Sequence, residues 1–526
     1  LVIRPPAALF ALVFVLLLSE ARDDTAAPEA PTPRWTDETP DAMLDDAVAR
    51  ALTPKAAPHV QLAALATIAA LAERAEDGHA PKAAERVAGD DGVGSDVRGQ
   101  AALLARMLAP DEGTEAGARA DENLGVIDAV AILGPFRDTG GGLDTHDGPE
   151  SAAGRFGDMR ARYSWGTYEV AWRAVPRAFA TAQGVPLDLF VFPRKESCTW
   201  LATKLAVASA QTLVVELAAS GQARLVFDGT DVEHDGAVHE AARFDRLAAR
   251  VRASSGAHLL AAKVCTGALD DEGRVRLRVT DESGARPQGV TASADLDQTP
   301  SRGPRAPRVA SERQTTPLAR ALADPSTGTE ARLDAAVLRT LGGADDLRSP
   351  RAPGILSSLV SHGIATDRLA VAAWIAPSAA NRSAWLNRAR ADASADARTR
   401  AFVERRLVER HIEAGLADWA MAALRGSHID RASDAEAALL VSQVDKALGT
   451  DALRLGALRR LADVAGASAS APDAVLEALA QLAASYDPGL AAATRERLAA
   501  RGDVGADHVV AAQALGRDAV VGAARR

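Results

Sequence analysis

The stretch QARLVFDGTDVEHD, residues 222–235, decides how the chain is read. Two β-prone runs, Leu225-Val226-Phe227 and Thr230-Asp231-Val232, flank Asp228-Gly229. An Asp-Gly pair between such runs predicts a tight hairpin, because a type I′ turn needs φ > 0 at both central residues. The hairpin sits near the middle of the β-rich part of the chain, and on either side the composition turns alanine-rich and helical.

Outward from the hairpin, β-prone runs fall at 129–133, 168–174, 187–192, 199–207, 212–218, 223–227, 230–233, 248–253, 258–266 and 274–280. Gly or charged turns separate most of them. The cleanest period-2 run alternates Arg274, Arg276 and Arg278 with Val275, Leu277 and Val279. It predicts charged side chains facing out and apolar ones facing in. So many short strands predict an antiparallel β-sandwich, jelly-roll-like, over residues 126–285.

The flanks read as helices. Residues 40–125 form a small α-helical region, in which Met43, Leu44, Ala47, Val48 and Ala51 lie on one face. Residues 286–316 hold Pro287, Pro300, Pro304 and Pro307 and read as a Pro-rich linker. Residues 317–526 read as an α-helical repeat domain, an α-solenoid of helix pairs. The pairs recur at roughly 35–40 residues, in the tetratricopeptide range but without that family's strict pattern. Gly449 is placed to stop one helix and Thr450 or Asp451 to cap the next; Asp487-Pro488 opens another. The fold class is therefore multi-domain, with a sandwich between two helical regions.

Composition narrows the function. The 526 residues carry a net charge of −10, and aromatics make up only 4%. An acidic chain without a basic block is a poor nucleic-acid binder. Its many arginines alternate with Asp and Glu, the pattern of a solvated helix face. Arg4, the apolar run 7–18 and Ser19-Glu20-Ala21 read as a signal peptide over 1–21, cut after Ala21. The run is shorter than the roughly 20 residues a membrane span needs, so no span is expected in the mature chain. Residues 22–39 read as a disordered leader. The expected location is the periplasm, the cell surface or the medium. The chain starts with Leu, which points to a literally translated start codon or a missing start.

Export permits disulfides, and the two cysteines, Cys198 and Cys265, both fall in the β-rich part. They are either bridged between two strands or two buried thiols. Neither sits at a helix start beside a His, so neither reads as a nucleophile. Residues 139–142, Thr-Gly-Gly-Gly, lack the Lys-Ser/Thr of a phosphate loop and read as a flexible turn. Asp228, Asp231, His234, Asp235 and His239 carry potential metal ligands. Alternate residues of a hairpin diverge, so a solvated edge is the better reading. No catalytic set, cofactor or metal is expected. Trp165, Trp172 and Trp200, with Tyr163 and Tyr168, concentrate in the β-part. They are either sandwich core or, as candidate ligand-binding residues, apolar platforms for sugar rings.

The stretch ILGPFRDTGGGLDT, residues 132–145, with Pro149-Glu150 after it, resembles a signature of large exported transglutaminase-like proteins of the myxobacterial type. The hairpin 225–234 is similar to their "tryptophan-Asn-Gly" hairpin, with Phe227 and Asp228 in place of Trp and Asn. The run HLLAAKV, residues 258–264, is similar to their late "Asn-x-Leu-Leu-x-Lys-Val" strand. The resemblance covers residues 126–284. It implies a helical leader, a galactose-binding-like jelly roll, helical repeats and then a transglutaminase-like domain. The family's catalytic Cys, His and Asp would lie beyond Arg526, so none is carried over.

The reading as a whole is an exported, non-catalytic binding or scaffold protein that meets a protein partner through its helical repeats. Two rivals stand beside it. One is binding of carbohydrate or an envelope polysaccharide by the sandwich. The other is the front part of a longer transglutaminase- or protease-like enzyme.

Overall fold

In the computed structural model the described residues are 35–37, 39–109, 115–138, 141–151, 156–165, 167–266, 271–297, 310–323, 328–427, 429 and 435–501. The expected signal peptide and most of the expected leader lie outside them. Five helices come first: α1 (Pro40–Ala51), α2 (Pro58–Leu71), α3 (His79–Ala88), α4 (Ser95–Met107) and α5 (Glu115–Asn123). The first seven strands are β1 (Ala131–Arg137), β2 (Arg162–Trp165), β3 (Tyr168–Ala171), β4 (Arg173–Ala174), β5 (Val185–Pro186), β6 (Ser197–Val207) and β7 (Gln211–Ala219). The next seven are β8 (Gly221–Phe227), β9 (Thr230–His239), β10 (Leu247–Ala253), β11 (Gly256–Thr266), β12 (Arg274–Thr280), β13 (Val290–Ser293) and β14 (Ser311–Gln314).

The remaining helices are α6 (Pro317–Ala323), α7 (Thr329–Leu341), α8 (Ala352–Ser361), α9 (Thr366–Ile375), α10 (Ala379–Ala391) and α11 (Ala397–Glu413). They continue as α12 (Ala417–Arg425), α13 (Ala435–Leu448), α14 (Asp451–Ala467), α15 (Asp473–Tyr486) and α16 (Pro488–Ala500). The protein is thus mixed α and β, with antiparallel sheets followed by a long run of helices.

The hairpin of β8 and β9 turns on Asp228 at φ 49° and Gly229 at φ 73°, the two positive values a type I′ turn requires. Local chemistry also sets the helix ends. Thr39 accepts from the Ala42 amide and Pro40 fills the first turn of α1. Thr450 accepts from Leu453 at the start of α14 and Asp487 from Leu490 at the start of α16, while Gly449, at φ 81°, ends α13.

The sheets are antiparallel. The first runs in the order β4-β1-β6-β11-β8-β9, with β13 also on β6; the second runs β14-β10-β7-β12-β5; β2 and β3 form a separate two-stranded ribbon. A single hydrophobic core takes side chains from both, including Leu201, Phe227 and Leu260 from the first and Val215, Leu217 and Leu277 from the second. The far face of the first sheet is covered as well. Leu143, Phe156, Trp172 and Leu296 close over Leu133, Trp200, Leu259 and Ala261. With both faces buried, the strands need not alternate cleanly in sequence.

Four expectations change. Residues 187–192 form a 3₁₀ turn, Leu187–Leu189, rather than a strand. Pro186 precedes it, and Asp188 turns to Arg194 Nε at 2.6 Å. Both ends of the expected linker are strands, β13 on β6 and β14 on β10. The end of the expected leader is packed. Trp35 is buried with the Arg50 guanidinium 3.6 Å from its ring, and Thr36 meets Thr399 at 3.1 Å. The fourth concerns the arginines of β12. Val275, Leu277 and Val279 face the core as expected, but Arg276 and Arg278 are buried too. Helices cover the outer face of this sheet. Gln100 of α4 donates to Asp245 at 2.9 Å, and Arg278 donates to the Leu124 carbonyl just after α5 at 2.9 Å.

Asp245 is the counter-ion of both arginines, at 3.2 Å from Arg276 and in direct contact with Arg278. Burial opposes its charge, but Arg278 and Arg276 hold it at about 2. Glu216, beside Arg278 at 3.3 Å, is pushed by burial up to about 7, with Arg278 opposing and Asp245 reinforcing the rise. A carboxyl whose folded value is raised contributes stability that is complete below its ordinary value of 4.5 and is lost as pH rises through about 7. Glu216→Gln is therefore expected to flatten the fall in stability across that window. Denaturant midpoints of both proteins at about pH 4.5 and about pH 8 check it. A variant whose midpoint falls as much as the parent's contradicts it.

The helices before and after the β-part share one core. Leu44, Leu62, Ile68, Val97, Val337, Leu369, Phe402 and Leu407 belong to a single hydrophobic cluster. The turn after α2 also reaches the far end of the helical run. The Asp77 amide donates to the Ser470 carbonyl at 2.9 Å, and the Ala474 amide donates to the Glu73 carbonyl at 2.9 Å. The β-part is tied to this body at β9, where Val238 donates to Asp346 at 3.0 Å and Glu240 to the Gly343 carbonyl at 3.1 Å.

Candidate functional site

Two of the three tryptophans singled out by the sequence, Trp172 and Trp200, are buried. Trp200 is fully buried, packed edge-on against Phe156 at 4.9 Å, and Trp172 is buried in the same cluster. Trp200 lies on the far face of the first sheet, and Trp172 belongs to the layer that closes over it. The side chain of Trp165 lies outside the described residues. The two cysteines are Cα partners on β6 and β11 and are joined by a disulfide.

The acidic and histidine residues of the hairpin are dispersed among different partners. Asp231 faces Arg224 at 3.4 Å, Asp235 faces Arg246 at 2.6 Å, and His239 lies 3.6 Å from Asp235. His234 is exposed. Asp228 accepts from the Leu259 amide at 2.8 Å and faces His258 Nδ1 at 2.7 Å.

That last pair has a serine nearby. Ser254 Oγ lies 3.5 Å from His258 Nε2, so that Ser254, His258 and Asp228 follow one another in space like a Ser-His-Asp set. Nε2, however, is closer to the Ser254 carbonyl, at 2.8 Å. A general base needs its lone pair on the hydroxyl, and here the ring nitrogen is turned to a backbone acceptor. With Phe227 stacked on the imidazole at 5.3 Å, the group fastens the β10–β11 turn to the hairpin tip.

A cavity of about 800 Å³ opens among the helices where the run returns to α2. Its lining brings together Arg74 after α2, Trp374 of α9, Arg382 of α10, Arg406 and Arg410 of α11, and Lys446 of α13. Three carboxylates, Glu73, Glu409 and Glu413, line it against these five cations. The lining is positive in a chain whose net charge is negative.

The floor is internally paired. Arg74 contacts both Glu409 and Glu436, and Arg406 reaches Glu409 at 2.7 Å. Burial works against the charges of Arg74, Glu409 and Glu436. The arginines nevertheless hold Glu409 below the usual carboxylate range, whereas burial lifts Glu436 above it. The Arg406 guanidinium also lies 5.1 Å from the Trp374 ring and 5.0 Å from Phe402, a cation–π contact that fixes its plane. At the side, Arg382 pairs with Glu413 at 3.0 Å.

Two cations differ. Arg410 Nε donates to Ser383 Oγ at 3.2 Å, and Lys446 Nζ donates to Gln481 Oε1 at 3.4 Å. Among the described residues neither has a carboxylate partner. This arrangement can accept an anionic group at the rim while Trp374, Leu386 and Ile412 offer apolar surface within.

The sequence reading assigned these arginines to solvated helix faces. The signal that marks them is spacing: Phe402, Arg406, Arg410 and Glu413 fall at i, i+4, i+8 and i+11 on α11. The apolar stripe of that helix thus runs straight into its charges.

The chain matches no family model, no curated protein and no solved structure.

Proposed function

We propose that this chain is a non-catalytic binding protein whose helical part takes up an acidic segment of a protein partner. The observation that carries the reading is the cavity with Arg410 and Lys446 at its edge, two cations that among the described residues meet only neutral acceptors. A carboxylate of a ligand would replace the hydroxyl and amide oxygens with charge-assisted partners. The apolar wall beside them accommodates the stem of the same side chain.

The reading extends to the architecture. It takes the β-part as a jelly-roll-like, galactose-binding-like sandwich and the helices as an α-solenoid, in an exported protein of the transglutaminase-like type. It is supported by the core common to the two sheets and by the resemblance at residues 132–150 and 258–264. The burial of Trp172 and Trp200 takes two of the three candidate rings away from the sugar-platform alternative.

Calorimetric titration of the chain with a glutamate-rich peptide tests the proposal. Saturable binding that weakens with salt is expected. Arg410→Ala combined with Lys446→Ala is expected to cost at least about tenfold in affinity, on the order of the loss of two partly exposed charge pairs. No heat from the parent protein, or equal affinity in the double variant, refutes the reading.

A further inference from the structure

We propose that reduction of the Cys198–Cys265 bond turns its two sulfurs, together with Asp138, into a three-ligand site for a divalent thiophilic metal, Zn²⁺ by its chemistry. The ligand atoms of these three residues already lie within 4.8 Å of one another, and all three residues are buried. Tetrahedral zinc takes thiolate sulfur at about 2.3 Å and carboxylate oxygen at about 2.0–2.2 Å, so neighbouring ligands must come within roughly 4 Å of each other. Opening the S–S bond moves the sulfurs toward that spacing. Because the two cysteines are direct Cα partners on β6 and β11, the backbone stays in place.

Asp138 makes the cluster more than a disulfide. It is only 7% exposed, and one of its carboxylate oxygens accepts the Gly142 amide at 2.9 Å. The other oxygen, Oδ2, is buried and has no hydrogen-bond partner among the described residues. A buried carboxylate oxygen left unpaired is costly, and a metal ion is one of the few groups that satisfies it completely. The neighbourhood is also built for close approach. A Cβ at Gly142 would fall 2.5 Å from Cys198 Sγ and 2.8 Å from Asp138 Oδ1, so only glycine fits between them. The loop carrying Gly142 is held from the other side by Lys263 Nζ, which reaches the Leu143 carbonyl at 3.4 Å and Glu150 at 2.9 Å.

The chemistry balances without further groups. A dithiol reductant delivers two electrons and two protons to the S–S bond and leaves as its own disulfide. The metal then displaces the two thiol protons to solvent and is held by two thiolates and one carboxylate, with water in the fourth position. Disulfide and metal site are therefore alternative states of the same two sulfurs.

Cobalt(II) reports on the site, because thiolate ligation gives it an intense sulfur-to-metal absorption. The full chain, oxidised or reduced by a dithiol that is then removed under argon, is titrated with Co²⁺ and afterwards with Zn²⁺. The reduced chain is expected to bind one equivalent with the thiolate band, which Zn²⁺ bleaches; the oxidised chain is expected to show no band. Asp138→Asn, which keeps both sulfurs, is expected to lower the affinity at least about tenfold. Circular dichroism establishes that the reduced chain and the variant are folded. The proposal is overturned if the folded, reduced chain gives no thiolate band, or if Asp138→Asn binds cobalt as tightly as the parent. Should reduction unfold the chain, the sulfurs and Asp138 do not form a site in the native fold and the proposal fails.

Discussion

Asp245→Ala is expected to lower the unfolding free energy by about 3–5 kcal/mol, the usual cost of leaving buried charges without their partner. Arg276 loses its counter-ion and Arg278 is left with Glu216 alone, at 3.3 Å. The Arg276 side chain is fully buried and that of Arg278 is 4% exposed, so water cannot take the carboxylate's place. Gln100 loses its hydrogen-bond acceptor in the same step, which loosens α4 from the sheet. Guanidinium titration followed by circular dichroism measures the loss. A change below about 1 kcal/mol would mean that the arginines reach solvent, and with it that the helical layer does not cover this face.

Trp200→Ala carries the second large effect, also about 3–5 kcal/mol, because the ring is fully enclosed and its removal leaves a cavity that β6 and β11 cannot close. The matched control is Trp419→Ala. Trp419 is 65% exposed, and its removal is expected to stay within about 0.5 kcal/mol. Thermal or chemical unfolding of the two variants side by side gives the comparison. Equal effects would remove Trp200 from the core and return it to the list of surface platforms.

How much of this was legible depends on how local the cause is. The Asp228-Gly229 turn, the caps at Thr450 and Asp487 and the stop at Gly449 follow from backbone needs met within a few residues, and they stand in the sequence unaided. Arg276 and Arg278 show where that stops. Period two gives the face a side chain takes, and both arginines take the face expected. What covers that face is decided by α4 and Asp245, which no local pattern names. Trp35 gives the same lesson in a smaller setting. A stretch rich in Pro, Ala and Thr reads as leader, yet its one large ring finds Arg50 and is buried. The cavity was out of reach for a further reason. Its lining joins Arg74 to residues of α9, α10, α11 and α13, so it exists only once the two ends of the fold meet.

That meeting sets the order in which the protein can be assembled. Arg74 and Glu409 are 335 positions apart, and the whole β-part lies between them. The first helices leave the ribosome with part of their core missing, because the partners of Leu62 and Ile68 on α7, α9 and α11 follow only after the sheets have been made. The sheets can close as soon as β14 has emerged, since among the described residues all their strands lie between β1 and β14. The helical body is thus a discontinuous domain carrying an insertion. It is last to be completed although it contains the first helix made, and its long-range contacts place it at the slow end of folding. Until then its opening helices are client surface for whatever accompanies the nascent chain.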